Sequence, residues 1–83
     1  MTYKLFTRIA LLEDLPRHQL HKGDVAVVVD EHPGIDGNEK GYSLEVFNAV
    51  GETIAVVIVS ESQIEPLRKD EVLHVRQFER VAA

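Results

Sequence analysis

Hydrophobic and polar positions alternate in two stretches of the chain, loosely over residues 6–12 and strictly over residues 42–47. This period is typical of a strand with one buried face. Two further stretches, 24–31 and 52–59, are almost wholly apolar and rich in β-branched residues, as in strands covered on both faces. The pattern predicts four strands, and the residues expected to dominate the core are Ile9, Leu11, Val25, Val27, Leu44, Val46, Ile54, Val56 and Ile58.

A short polar turn, Lys22-Gly23-Asp24, leads directly into the valine-rich stretch. Gly23 can adopt a positive φ that other residues avoid, and the Asp24 carboxylate can accept hydrogen bonds from nearby backbone amides. We therefore predict that Lys22, Gly23 and Asp24 form a sharp structural turn at the entrance to the core.

The segments between the predicted strands carry turn signals. Pro16 interrupts residues 13–19, which should form a loop because proline lacks the amide proton that a ladder needs. Residues 33–41 are rich in glycine and charge, and we expect an exposed loop there. Residues 48–51 read as a hairpin connection, with Gly51 in the left-handed region.

The end of this region contains a helix-start signal. Ser60 and Gln63 have the spacing of a capping box, so one short helical turn is predicted over residues 60–64. Pro66 then ends the turn, and residues 64–67 should form a fifth, closing strand. The predicted fold is mainly β: a small SH3-like five-stranded antiparallel barrel over residues 1–67, with one short helical turn and a C-terminal extension over residues 68–83.

The extension is too apolar for a solvated tail, and we expect something to cover it. Its valines prefer a strand, although a helical face is the alternative for Val72, Val75, Phe78 and Val81. The segment either folds back beside the first strand of its own domain or adds to an edge of a second copy or a partner. We favour the intermolecular role, of which a homodimer is the simplest form, with these candidate contact residues: Val72, Leu73, Val75 and Phe78.

The net charge of −5 is concentrated in the middle of the chain. Between residues 25 and 66 the only basic residue is Lys40, and the acidic residues are Asp30, Glu31, Asp36, Glu39, Glu45, Glu52, Glu61 and Glu65. Such a surface repels phosphates, so nucleic acid is not an expected partner.

The chain contains no cysteine, which rules out disulfides, thiolate nucleophiles and thiolate metal sites and fits a reducing compartment. Its longest apolar run, residues 54–59, is far shorter than the roughly 20 residues that span a bilayer. The N-terminus lacks the apolar segment of a secretory signal. We therefore expect a cytoplasmic protein that neither spans a membrane nor is secreted.

Four histidines raise the question of a metal site. His18 and His21 are three positions apart and could join Asp14 or Asp24 in a site with two histidines and one carboxylate. We interpret both as exposed loop residues, and His32 and His74 as surface or interface residues. No metal and no cofactor is predicted.

Signals for catalysis are weak. Ser60 and Ser62 lie outside any Gly-x-Ser-x-Gly elbow, and capping explains them better. The acidic residues of 30–39 resemble a solvated rim, and the glycines of 33–41 lack the strand-to-helix junction of a phosphate-binding loop. The sequence therefore predicts a protein that is not an enzyme.

Several segments resemble a small bacterial family of domains of unknown function: ALLEDLP (10–16), LHKGDVAVV (20–28), and ETIAVV (52–57) with SESQIEPL (60–67). The resemblance implies an SH3-like barrel but brings no catalytic residues. The Lys22-Gly23-Asp24 turn is also similar to the KOW motif of ribosome- and RNA-associated barrels, with Ala26 where those commonly have glycine.

Two functional hypotheses follow. The first is a protein-interaction module that binds a protein partner or itself. One form of such a module is the small antitoxin-like or immunity-like member of a two-gene pair. The second is an RNA- or ribosome-associated KOW-like barrel, which the acidic central segment argues against.

Overall fold

The computed structural model describes residues 3–34 and 38–78, and strands dominate this part of the chain. The remaining regular structure is two 3₁₀ turns, at Pro16–His18 and Glu61–Gln63. No helix among the described residues is long and apolar enough to cross a membrane. The strands are β1 (Arg8–Leu11), β2 (Val25–His32), β3 (Gly41–Phe47), β4 (Thr53–Ser60) and β5 (Ile64–Pro66).

The five strands form one antiparallel sheet in the order β4-β3-β2-β1-β5. The prediction of a mainly β domain with five antiparallel strands is confirmed. Register shifts interrupt the pairing of β2 with β3 after Val28 and that of β3 with β4 after Val46. Irregularities of this kind add twist to the paired strands, which helps a five-stranded sheet enclose its own core.

The core lies on the inner face of this sheet. The strict alternation of β3 is confirmed: Tyr42, Leu44 and Val46 are buried, and they pack with Ile9 and Leu11 of β1. The other buried members of the cluster are Tyr3, Leu20, Ala26, Val28, Val57, Val59 and Ile64.

The predicted inward faces of β2 and β4 are wrong. Val25 and Val27 are only half-buried, and Ile54 packs against the edge of the core. On β4, the exposed fractions of Val56 and Ile58 are 62% and 71%. The residues that face the core are instead Ala26, Val28, Val57 and Val59.

The reason for this error is that an apolar run has no polar residue to mark its outer face, and a shift of one position exchanges the faces. The faces are set by pairing with the alternating strand β3. Val56 lies opposite Glu45, and Ile58 lies opposite Ser43, so both share the solvent-exposed face with polar partners.

An aromatic contact near the N-terminus was not predicted. Tyr3 is buried and meets Tyr42 edge-on, with ring centroids 5.3 Å apart. The Tyr3 amide donates to the Tyr42 hydroxyl oxygen at 3.1 Å, and the Tyr3 hydroxyl donates to the Ile64 carbonyl at 3.3 Å. These contacts tie the N-terminal segment to β3 and to the start of β5.

The turn before β5 has the predicted cap. The Ser60 amide donates to Gln63 Oε1 at 2.8 Å, and the Ser60 side chain accepts from the Gln63 amide, which completes a capping box. Over residues 13–19 the sequence predicted only a loop. The structure has a second 3₁₀ turn there, at Pro16–His18.

The predicted strand of the extension is not formed over residues 71–78, which have no regular secondary structure. The position beside β1 that an intramolecular strand would need is already filled, because β1 pairs with β2 on one side and β5 on the other. Val81, the last apolar residue of the predicted strand, lies outside the described residues.

The revised faces of β4 can be tested with a matched pair of neighbouring valines. Val57→Ala should lower the free energy of unfolding by about 1–3 kcal/mol because Val57 is buried. Val56→Ala should lower it by less than about 0.5 kcal/mol because Val56 is exposed. Urea denaturation measures both changes, and equal losses would contradict the observed register.

Candidate functional site

The Lys22-Gly23-Asp24 turn has the predicted geometry. Gly23 has a φ of +92°, and its amide donates to the Leu11 carbonyl at 2.8 Å. The Asp24 carboxylate accepts from the His21 amide at 2.7 Å, and the Lys22 amide donates to Asp14 Oδ1 at 2.8 Å. The turn is thereby bonded both to β1 and to the loop that precedes it.

Asp24 also anchors the C-terminal extension. Arg76 Nε donates to Asp24 Oδ1 at 2.9 Å, and Arg76 Nη2 makes a second bond to Asp24 Oδ2. The same Nη2 lies 3.4 Å from the Gln19 carbonyl oxygen. A two-point guanidinium–carboxylate contact fixes the orientation of both groups as well as their distance.

The electrostatics of Asp24 reflect this contact. Burial alone would raise the pKa of the Asp24 carboxyl, but the hydrogen bonds from Arg76 and the His21 amide, with the positive charge of Arg76, outweigh it and lower the pKa. Asp24 is therefore held in its charged form by a residue 52 positions away in the chain.

The extension has an exposed middle, with a local turn before it and an anchor to the domain after it. Before it, the Arg68 amide donates to Glu71 Oε1 at 2.5 Å, and the Glu71 amide donates to the Arg68 carbonyl at 3.1 Å. After the exposed middle, Arg76 binds Asp24, and Phe78 packs against the core cluster. We call residues 72–75, between the turn and Arg76, the tail segment.

The tail segment exposes apolar side chains. Val72, Leu73 and Val75 are 92%, 57% and 86% exposed. No backbone hydrogen bond joins residues 72–75 to another described segment. An open cleft of about 1110 Å³ is lined both by these tail residues and by sheet residues such as Ala10 and Val25.

The structure therefore divides the four predicted contact residues. Val72, Leu73 and Val75 are exposed, whereas Phe78 is half-buried against the core. Lys22 and Gly23 are exposed, and Asp24 is half-buried in its ion pair.

The histidines are dispersed. His18 ends the first 3₁₀ turn and is exposed, as is His21. His32 Nε2 lies 2.7 Å from Ser43 Oγ, and His74 is exposed in the tail segment. Within residues 3–34 and 38–78, no three His, Cys, Asp or Glu side chains are grouped as a metal site would require.

The other candidates for chemistry make local contacts. Ser62 Oγ donates to Glu39 Oε1 at 2.6 Å, and Lys40 Nζ pairs with Glu31 Oε1 at 2.9 Å. Asp30 Oδ1 accepts from the Glu31 amide at 2.8 Å. Asp36 and Gly37 lie outside the described residues.

A second exposed apolar surface was missed because its residues were expected in the core. Val56 and Ile58 project from β4, a strand at the edge of the sheet. No local signal gave this face, because Val56 and Ile58 come to lie opposite Glu45 and Ser43 through the register shift that follows Val46 in the pairing of β3 with β4.

Comparison with known proteins identifies the family. The family model described as a domain of unknown function, DUF4926, matches residues 5–66. This match confirms the resemblance to a family of unknown function. Neither the curated proteins nor the solved structures contain a match to the chain.

The turn can be tested by two substitutions of Gly23. Gly23→Val should destabilise the protein by about 1–2 kcal/mol more than Gly23→Asn, because asparagine tolerates a positive φ and a β-branched residue does not. A Cβ at this position meets no atom within 4 Å, so packing does not obscure the comparison. Equal melting temperatures for the two variants would contradict it.

The tail anchor should respond to acid. A carboxyl group with a lowered folded-state pKa contributes stability above its unfolded-state pKa and loses it as the pH falls. Below about pH 4, protonation of Asp24 should therefore release Arg76 and the tail. The Arg76 Nε–H resonance in NMR spectra reports this release, with Tyr42 resonances showing whether the core is intact.

Two variants control this experiment. Asp24→Asn and Arg76→Gln each remove the ion pair, so their tails should already be released at neutral pH and show no acid transition. The Arg76 Nε–H resonance reports this for Asp24→Asn, and the ring resonances of Phe78 report it for Arg76→Gln. A transition that is unchanged in Asp24→Asn would show that another group is titrating.

Proposed function

Because the chain belongs to the DUF4926 family of domains of unknown function, we propose its function from the described surface: it is a non-catalytic module that binds another protein through the tail segment. In this proposal the chain acts in the cytoplasm as the small member of a two-gene pair, as antitoxins and immunity proteins do.

The observation that carries the proposal is the state of residues 72–75. Their apolar side chains are exposed and their backbone groups are unpaired with other described segments, although a local turn precedes them and Arg76 binds Asp24 after them. If residues 72–75 join the sheet of a partner as an added strand, their backbone groups become paired and their alternate side chains become buried.

The anchors make such binding more favourable. A loose peptide loses conformational freedom when it binds, and this loss opposes association. Here Arg76 and Phe78 on one side and the Arg68–Glu71 turn on the other already restrict the segment. In this proposal Phe78 anchors the tail to the core, and the residues that contact the partner are Val72, Leu73 and Val75.

The fold supports a role in binding. The strand order β4-β3-β2-β1-β5, with a 3₁₀ turn between β4 and β5, supports the predicted SH3-like barrel. The KOW-like alternative requires contact with phosphates, and residues 25–66 carry one lysine against eight acidic residues. Salt-sensitive RNA binding in a gel-shift assay would favour that alternative.

The tail contact can be tested with Val72→Asp/Val75→Asp. The variant should bind the protein encoded by the adjacent gene at least about tenfold more weakly, because two aspartates would be buried in the contact. Titration calorimetry on the purified, co-expressed pair measures this affinity, and sedimentation measures self-association for the homodimer form.

The matched control is Val50→Asp/Phe6→Asp, which adds the same charge at two exposed positions outside the cleft that the tail segment lines. This control should bind as the unaltered chain does. If the control and tail variants weaken binding equally, net charge and not the tail accounts for the loss. If the chain neither self-associates nor binds the adjacent gene's product, the proposed function is wrong.

A further inference from the structure

The tail is attached to the domain at its far end. Arg76 binds Asp24 through two nitrogens of its guanidinium group, and Phe78 packs against the core cluster. The hydrogen bonds of the turn before the tail segment lie within residues 68–71. Among the described residues, no hydrogen bond or ion pair joins residues 67–75 to the sheet. The connection between β5 and Arg76 can therefore change its path without breaking a polar contact with the sheet.

The surface that receives residues 76–78 is the outer face of β1 and β2. Ala10 lies between two core residues of β1 and so points to the opposite face, yet it is only 6% exposed. Val25 lies opposite Ala10, and both line the cleft together with Phe78. The receiving site thus combines an apolar face with the carboxylate of Asp24. It is complementary to residues 76–78 whichever copy of the chain supplies them.

The connection is long enough to reach a neighbouring copy. Ten residue steps separate Pro66 from Arg76, and a chain of this length extends to about 33–36 Å. The shortest axis of the molecule is 20 Å. When two copies exchange an identical element, each contact that is lost within a chain is regained between chains, so exchange is a low-cost route to a dimer.

Exchange also covers the apolar side chains that a single copy leaves exposed. The two tail segments cross between the domains, where they can pair with each other. Antiparallel pairing about the midpoint of the tail segment puts Val72 of one copy opposite Val75 of the other, and Glu71 opposite Arg76. No like charges face each other in this pairing, and the backbone groups of both segments find partners.

We propose that two copies of the chain exchange residues 76–78, so that Arg76 of each copy binds Asp24 of the other and the two tail segments pair antiparallel between the domains. The inference rests on the proposed function, since it names a second copy as the partner of the tail segment. It goes further by making Asp24 of one copy and Arg76 of the other parts of one site.

Two charge-reversal variants of the full chain test the exchange. Asp24→Arg leaves two arginines at the site, and Arg76→Asp leaves two aspartates, so neither variant can form the ion pair within one chain or with its own kind. A mixture of the two can form it twice, once in each direction, but only between chains. Sedimentation and native mass spectrometry measure the dimers in each sample.

The mixture should form a heterodimer whose Kd is at least about tenfold lower than the Kd for self-association of either variant alone. Adding Val72→Asp/Val75→Asp to both chains should weaken this heterodimer at least about tenfold, because the paired tail segments would then bring aspartates together. The control Val50→Asp/Phe6→Asp should leave it unchanged. The double variant Asp24→Arg/Arg76→Asp restores the pair in reverse and should associate as the unaltered chain does.

A second measurement uses milder substitutions, in case Asp24→Arg disturbs the turn. The Asp24→Asn chain is labelled with ¹⁵N and mixed with the unlabelled Arg76→Gln chain, whose Asp24 is intact. The Arg76 Nε–H resonance of the labelled chain should move to its position in the unaltered protein, because the second copy supplies the carboxylate. Addition of unlabelled Asp24→Asn chain should leave the resonance where it was.

The proposal is overturned if mixing gives no more dimer than each charge variant forms alone and the labelled Arg76 resonance does not move. It is also overturned if the tail and control variants weaken the heterodimer equally. Failure of the exchange is separable from failure of the proposed function. A tail segment that still binds the adjacent gene's product, or that self-associates without exchange, would keep the proposed function and reject the exchange alone.

Discussion

The pairing of β3 with both of its neighbours is the constraint on which the rest of the structure depends. β3 is flanked by β2 and β4, and its strict alternation leaves it only one way to bury Tyr42, Leu44 and Val46. Because paired residues share a face, this choice determines which residues of the two apolar strands point inward. Val28 and Val57 enter the core, and their neighbours remain at the surface.

The same constraint produces the exposed edge. Had β4 been paired one residue out of its present register, Val56 and Ile58 would be buried and a different set of valines exposed. With eight residues and few polar side chains, some apolar surface of β4 must face solvent in either register.

Asp24 links the turn to the tail. It caps the turn by accepting from the His21 amide, and its carboxylate also binds Arg76. A change at this one residue therefore affects both the entrance to β2 and the position of residues 72–75. The domain is small, with a core that leaves little excess stability, and long-range contacts of this kind hold its ends in place.

The sequence by itself determined the five strands of the sheet, their positions to within a few residues, the positive φ of Gly23 and the capping box at Ser60. These features depend on local chemistry: alternation, β-branching, the freedom of glycine and the reach of short polar side chains. It also indicated a family of domains of unknown function and the apolar character of the extension. The further strand that the sequence predicted in the extension is not formed over residues 71–78.

Only the tertiary structure decided which faces of β2 and β4 are buried, since an apolar run reads the same in either register. It also decided the state of the extension. β5 occupies the place beside β1 that the extension would have needed, and Arg76 meets a carboxylate 52 positions away, so residues 71–78 are anchored without forming a strand. Both outcomes depend on pairing between distant segments, which local patterns do not encode.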